Sequence, residues 1–239
     1  MMVTKQTRSE SKKKYRFSKG VLSLTTYIIF SIGFIPFVAC IYIIKEYFWF
    51  HSFLFYFALP FFMSLGLFLL LLSQMFLSGL FIKLFRVVYE PGTYSYEFGK
   101  KNAFKWMLIA SLYTPIRKML EIIPLGSLKN SYLRLIGMKI GKNTLVGGVI
   151  KDPCVTKIGD HTTIGEYAII YGHIHNNEKG TILIDHVTIG NNCVIGAGAI
   201  IMPGAVVKDH VRVAAGALVT KKQILESGNT YVGIPATKH

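Results

Sequence analysis

The chain has 239 residues, of which 51% are hydrophobic, and carries a formal net charge of +15. A mean hydropathy of +0.43 is too apolar for an ordinary soluble protein, and the length allows one moderate domain with an appendage. Residues 152–239 hold seven bases and seven acids, so the basic excess lies wholly upstream. That placement fits attraction to anionic lipid headgroups and argues against a nucleic-acid partner.

Residues 1–20 form a basic tail with seven Lys or Arg against Glu10 alone. Residues 21–44 then run uncharged for 24 positions and residues 53–82 for 30 more. Each run exceeds the roughly 20 residues that cross a hydrocarbon core, so two transmembrane helices are expected within 21–82. Buried globular helices of this kind would need a large soluble body around them. A signal peptide fits poorly, because the first run is long, lacks a small-residue cleavage site and is followed by a second span. Residues 45–52 make a short outer loop rich in Phe, Tyr and Trp. Residues 83–151 contain twelve Lys or Arg against three acids. Positive charge on both flanks predicts an integral protein of the cytoplasmic membrane with cytoplasmic N- and C-termini. The lipid bilayer is then a partner.

Within residues 83–139, Phe104, Leu108, Leu112, Ile116, Leu120 and Ile123 recur at helical spacing. Lys101, Lys105, Arg117 and Lys118 fall mostly elsewhere. This predicts one or two basic amphipathic helices, interrupted near Pro115 and Pro124, lying at the headgroups or capping the domain that follows.

From residue 140 the pattern changes to a period of six. Aliphatic residues stand at Ile140, Val146, Ile158, Ile164 and Ile170, and again at Leu183, Ile189, Ile195, Ile201, Val207, Val213 and Val219. Most are followed four positions later by a small or β-branched residue, among them Thr144, Thr162, Ala168, Cys193, Ala199 and Ala217. Gly follows many of them directly. Neither an amphipathic helix nor a flat strand asks for one aliphatic residue in six. A triangular coil does, with the aliphatic residue on its axis and the small residue and Gly at its corner. The fold class expected is a membrane α-helical hairpin followed by an all-β, left-handed parallel β-helix of hexapeptide repeats over residues 140–239. Asp152 falls on an aliphatic register position beside Pro153, which marks a rung that is distorted or begins the regular coil. The spacing of 13 from Ile170 to Leu183, one more than two rungs, includes a loop, 176–180, that leaves the coil and is the natural place for a site. The three cysteines give no disulfide framework and point to a reducing compartment: Cys40 lies in a span, and Cys154 and Cys193 on the repeat.

The stretches "KIGDHTTIGEYAIIYGHIH", "VTIGNNCVIGAGAIIMPGAVVKDHVRVAAGALVTKK" and the terminal "YVGIPATKH" resemble the hexapeptide-repeat acyltransferases, in particular the sugar O-acetyltransferase branch. The spans, the stretch "LRLIGMKIGKN" and the coil are also similar to the C-terminal region of membrane-bound synthetases of amino-acid polymers. The resemblance implies a homotrimer that takes acetyl-CoA or another acyl-CoA from a groove between adjacent prisms. The acceptor is a hydroxyl or amine, and the membrane segments make a membrane-associated one the expectation. Acyl transfer needs a base near neutral pH. Alignment on the downstream "VTIGNN" places His175 on the family's catalytic His, with His173 the second choice and Glu178 or Asp185 as orienter. His173 shares its register with His161, His186 and His210, a position expected at coil corners. For the donor, the resemblance implies Gly196, Ala197, Gly198 and Gly216 against pantetheine, and Thr220, Lys221 and Lys222 against phosphate; exposed coil corners are the competing reading. Gly147 and Gly148 stand where the sugar branch carries an acceptor-positioning Asn.

Three other readings stay open: a carrier-dependent, amide-forming acyltransferase, a zinc protein resembling γ-class carbonic anhydrases, and a non-enzymatic trimeric scaffold. In the zinc class the metal sits between subunits on three imidazoles, a spacing that His173 and His175 do not reproduce, so no metal is expected here.

Overall fold

A computed structural model describes residues 19–49, 52–95, 101–123 and 125–239; the basic tail at 1–18, part of the loop at 45–52 and Pro124 lie outside the described residues. The first apolar run forms α1 (Lys19–Gly33) and α2 (Ile35–Tyr47), broken at Phe34 where Pro36 begins the second helix without a backbone donor. The second run forms α3 (Phe53–Leu84). By length and composition the spans Lys19–Tyr47 and Phe53–Leu84 are able to cross a membrane, and most of their surface is exposed apolar side chain. The two runs pack together through small contacts. Gly66 meets Phe37 and Cys40, and Gln74 donates to the Phe30 carbonyl at 2.8 Å.

A short strand, β1 (Gly92–Ser95), precedes α4 (Lys101–Ile122) and α5 (Gly126–Leu135). Pro115 lies inside α4 rather than ending it. Both helices are wedged between the apolar spans and the coil. Thr26 Oγ1 and Ser111 Oγ are 3.0 Å apart, Ser78 Oγ and Tyr132 OH 3.0 Å, and Gly79 lets Leu135 approach α3. On the other side α5 caps the coil. Asn130 donates to the Thr144 carbonyl at 2.8 Å, Lys129 to Gly148 at 2.8 Å and Arg134 to Gly141 at 2.9 Å. Carbonyls at the open end of the coil are thereby satisfied and the edge is covered.

The coil has three parallel faces. Its first turn is β2 (Lys139–Ile140), β3 (Leu145–Val146) and β4 (Val149–Ile150), and its second β5 (Thr156–Ile158), β6 (Thr163–Ile164) and β7 (Ile169–Ile170). An excursion follows as β8 (His173–Asn176) and β9 (Thr181–Ile184). The third turn is β10 (Val187–Ile189), β11 (Val194–Ile195) and β12 (Ile200–Ile201), and the fourth β13 (Val206–Val207), β14 (Arg212–Val213) and β15 (Leu218–Val219). The chain ends with β16 (Ile224–Leu225), β17 (Thr230–Val232) and β18 (Thr237–Lys238). The parallel repeats fit the expected left-handed coil. Ile158, Ile164, Ile170, Ile189, Ile195 and Ile201 are all buried on its axis, and the small residues four positions on are buried at the corners. His161 and His210 take left-handed backbone conformations, φ 52° and 59°, as corner residues do.

Two register expectations are corrected. The third rung of the first turn is Ile150, opposite Ile170, so Asp152 is not a displaced rung but belongs to the connection after it. Gly147 and Gly148 turn the chain early there, and the connection closes through a 3-10 turn, Pro153–Val155. Leu183 is not a rung either. It stands in β9 opposite Ile174 and Thr93, because β8, β9 and β1 form a separate antiparallel sheet.

Candidate active site

The site forms where the excursion leaves the coil and α4 covers it. Trp106, Ile109, Ala110, Thr114 and Arg117 lie on one face of α4, at helical spacing, and with Lys151, Asp152 and His173 from the coil they enclose a cavity of about 200 Å³.

Asp152 organises this cavity. Its side chain is 1% exposed, and a carboxylate at that depth requires partners. Oδ1 accepts from Trp106 Nε1 at 3.0 Å and from Tyr89 OH at 3.3 Å. Oδ2 accepts from the Gly172 amide at 2.9 Å and lies 2.6 Å from His173 Nδ1. Burial, and then the Asp152 charge, hold the Tyr89 phenol well above its ordinary value, so it stays a donor. A carboxylate partner fixes the proton of neutral His173 on Nδ1 and leaves the Nε2 lone pair free.

His175 follows two positions later on the same face of β8. The His173 and His175 ring centroids are 5.0 Å apart, and the rings meet Trp106 edge-on at 5.0 and 5.6 Å. Partial burial, reinforced by His173, lowers the His175 pKa, which favours the neutral ring. The two predicted histidines are thus brought together, and of the two His173 is the one in contact with the buried carboxylate.

Glu178 does not touch either imidazole. It is exposed in the hairpin turn and has no hydrogen bond or ion pair with either ring among the described residues. Asp185 instead accepts from the His186 amide at 2.8 Å. Sequence reasoning missed Asp152, Trp106 and Tyr89 as site residues. The available signal was an acid on an inward-looking position, which a close-packed axis tolerates only beside several donors.

The residues expected to meet the acyl donor fall at two corners. Gly196, Ala197, Gly198 and Gly216 share one, where Gly198 and Gly216 both have φ 67° and the Gly216 amide donates to Ala197 at 2.9 Å. Thr220, Lys221 and Lys222 occupy another, stacked over Met202 and Pro203, on the edge from which the excursion departs two turns earlier. The side chains of Lys221 and Lys222 are exposed and their ammonium groups have no hydrogen-bond or ion-pair partner among the described residues. The terminal Gly233–Ala236 turn closes the last coil, with Ala236 donating to Leu218 at 2.7 Å. Gly147 and Gly148 leave no room for a side chain like the Asn of the sugar branch; a Cβ on Gly148 would sit 2.4 Å from the Ala168 carbonyl. Cys154 offers no nucleophile, because burial pushes its thiol up to about 12.

Residues 182–221 match the bacterial transferase hexapeptide family, described by six repeats. This segment is a hexapeptide repeat. The chain is 32% identical over 97 residues to γ-carbonic anhydrase 2, mitochondrial, of Arabidopsis thaliana, covering 41% of this chain and 28% of the relative. It is 35% identical over 104 residues to a serine acetyltransferase of Helicobacter pylori, covering 42% and 56%. A solved hexapeptide transferase family protein from Anaplasma phagocytophilum is similar at 30% identity and TM-score 0.34, covering 43% and 54%. The chain therefore spans from about a quarter to just over half of the curated relatives it matches.

Proposed function

We propose that the protein is a membrane-anchored acyltransferase that moves an acyl group from an acyl-CoA to a hydroxyl or amine of a membrane-associated acceptor. The observation that carries this reading is the contact between His173 and buried Asp152 at the wall of a cavity. The hexapeptide repeat and the likeness to a serine acetyltransferase support the reaction class.

In this mechanism His173 Nε2 takes the proton of the acceptor as it attacks the thioester carbonyl. Asp152 holds the ring in the right tautomer and stabilises the imidazolium, then His173 returns the proton to the leaving thiolate. Trp106 and Tyr89 are positioning residues that hold Asp152. The acyl-CoA supplies the acyl group; Lys221 and Lys222 suit its phosphates, and the Gly196 to Gly198 corner admits a thin pantetheine chain. A carrier-bound thioester would react in the same way. The outward residues Val149, Ile169, Ile200 and Leu218 stand in register as an aliphatic stripe along one face of the coil. That stripe supports a homotrimer packed face to face. The exposed apolar surfaces of α1, α2 and α3 support a bilayer location, with α4 and the cavity at its cytoplasmic face.

Incubating the full-length protein with acetyl-CoA and total membrane extract, followed by mass spectrometry, should show a lipid-soluble species heavier by one acetyl group. No acylated product from any of several acyl-CoAs would overturn the reading.

The likeness to γ-carbonic anhydrases favours a zinc protein as a second reading. Among the described residues of one chain no group of three or more His, Cys, Asp or Glu side chains is disposed to hold a metal. Stoichiometric zinc in the purified protein, lost with His173→Gln, would bring that reading forward.

A further inference from the structure

The cavity holds more positive charge than the His173 and Asp152 pair needs. Arg117 lies three helical turns beyond Trp106 on the same face of α4, roughly 16 Å along the axis, so the cavity has two ends. The Arg117 guanidinium is nine-tenths buried and donates to Glu121 through Nη1 alone. Its other N–H groups have no partner among the described residues. Lys151, from the coil, lines the same cavity. Its ammonium has no hydrogen-bond or ion-pair partner among the described residues and only stands over the Tyr171 ring, 5.9 Å from its centroid.

Glu121 answers one of these two cations, and Asp152 is already committed to four donors. A partly buried lysine beside a buried arginine is unfavourable unless an anion enters. Burial, then the nearby Arg117, lowers the Lys151 pKa, as such crowding requires. The wall between the two ends is apolar, from Ile109 and Ala110.

We infer that Arg117 and Lys151 form an anion subsite for the phosphate of an amphiphilic lipid, with the lipid's apolar part against Ile109 and Ala110. Resting on the proposed acyl transfer, this makes the acceptor a phosphate-bearing lipid whose hydroxyl or amine reaches His173 while its phosphate is held along α4. Arg117 suits a bidentate contact and Lys151 a point charge.

Titration calorimetry on the full chain in detergent tests this, with dihexanoyl phosphatidic acid, dihexanoylglycerol and inorganic phosphate as probes. Phosphatidic acid should bind at least tenfold more tightly than either of the others. Lys151→Gln, at a partner-free side chain, should weaken it about tenfold, and Arg117→Lys should weaken it less than Arg117→Gln. His173→Gln should leave this binding intact, so loss of acyl transfer and loss of the subsite are separate results. Unchanged binding in Lys151→Gln overturns the subsite, and equal affinity for inorganic phosphate overturns the lipid as its source.

Discussion

Asp152 Oδ2 and His173 Nδ1 meet at 2.6 Å, although one follows the first turn of the coil and the other the second. The contact depends on the early corner at Gly147 and Gly148, which frees residues 151–155 from the rung pattern, and on the excursion that frees residues 171–186. Two irregularities in an otherwise repetitive solenoid are stacked on each other. That is how a coil committed to packing can present a buried carboxylate beside an imidazole.

Replacing Asp152 by Asn tests the pair. The amide is isosteric, but whichever way it turns, its NH2 faces donors among Trp106 Nε1, Tyr89 OH, the Gly172 amide and His173. Acyl transfer should fall by about a thousandfold or more, because the ring loses its tautomer and its counter-charge. Stability should fall by about 1–3 kcal/mol, read by thermal unfolding in detergent. Trp106→Phe keeps an aromatic side chain, though a smaller one, and removes one donor, so its effect on rate should be smaller.

The His175 ring should titrate below about 6.5 by NMR. Burial, then His173, lowers its pKa, so the folded state favours the neutral form. The stability this contributes is complete above the unfolded value and is lost as pH falls through it toward the folded value. His173→Gln removes one of the two causes and should move the His175 midpoint upward. A midpoint unmoved by that change would show that the rings are not coupled.

Glycines on the coil differ in what they tolerate. A Cβ on Gly165 would lie 2.7 Å from the Ala197 amide nitrogen, which is backbone and cannot swing aside. Gly165→Ala should therefore cost about 1–3 kcal/mol. Gly126, at the start of α5, has open space around an added Cβ, and Gly126→Ala should be neutral or slightly stabilising. Chemical denaturation of the two variants separates these outcomes.

Ile200 stands in the middle of the outward aliphatic stripe. Ile200→Lys should convert the proposed trimer to monomers in light scattering while leaving the circular dichroism of the coil intact, since its neighbour Ile201 is the residue on the axis.

The coil was legible in the sequence because each rung is a local event. An aliphatic residue and a small corner residue recur wherever the chain turns, so Ile158 to Ile170 and Ile189 to Val219 could be placed without knowing what they stack on. The apolar spans were legible by length. The site was not, because its decisive contacts are non-local. Asp152 reads as a broken rung until Ile150 is seen opposite Ile170, and Leu183 reads as a rung until β1 is found beside β9. Both histidines were found by their excursion. The proposal of His173 over His175 rests on the carboxylate, which stands 21 positions from His173 and accepts from donors on α4 and upstream of it.

The most direct test of the account compares single-turnover acyl transfer by the wild-type chain, His173→Gln and His175→Gln, in the same detergent with the same membrane extract. His173→Gln should lose at least about a hundredfold in rate, the low end of what a positioned base contributes, while His175→Gln retains most of its activity. Full activity in His173→Gln, or a larger loss in His175→Gln, would contradict the assignment of His173 as the base held by Asp152.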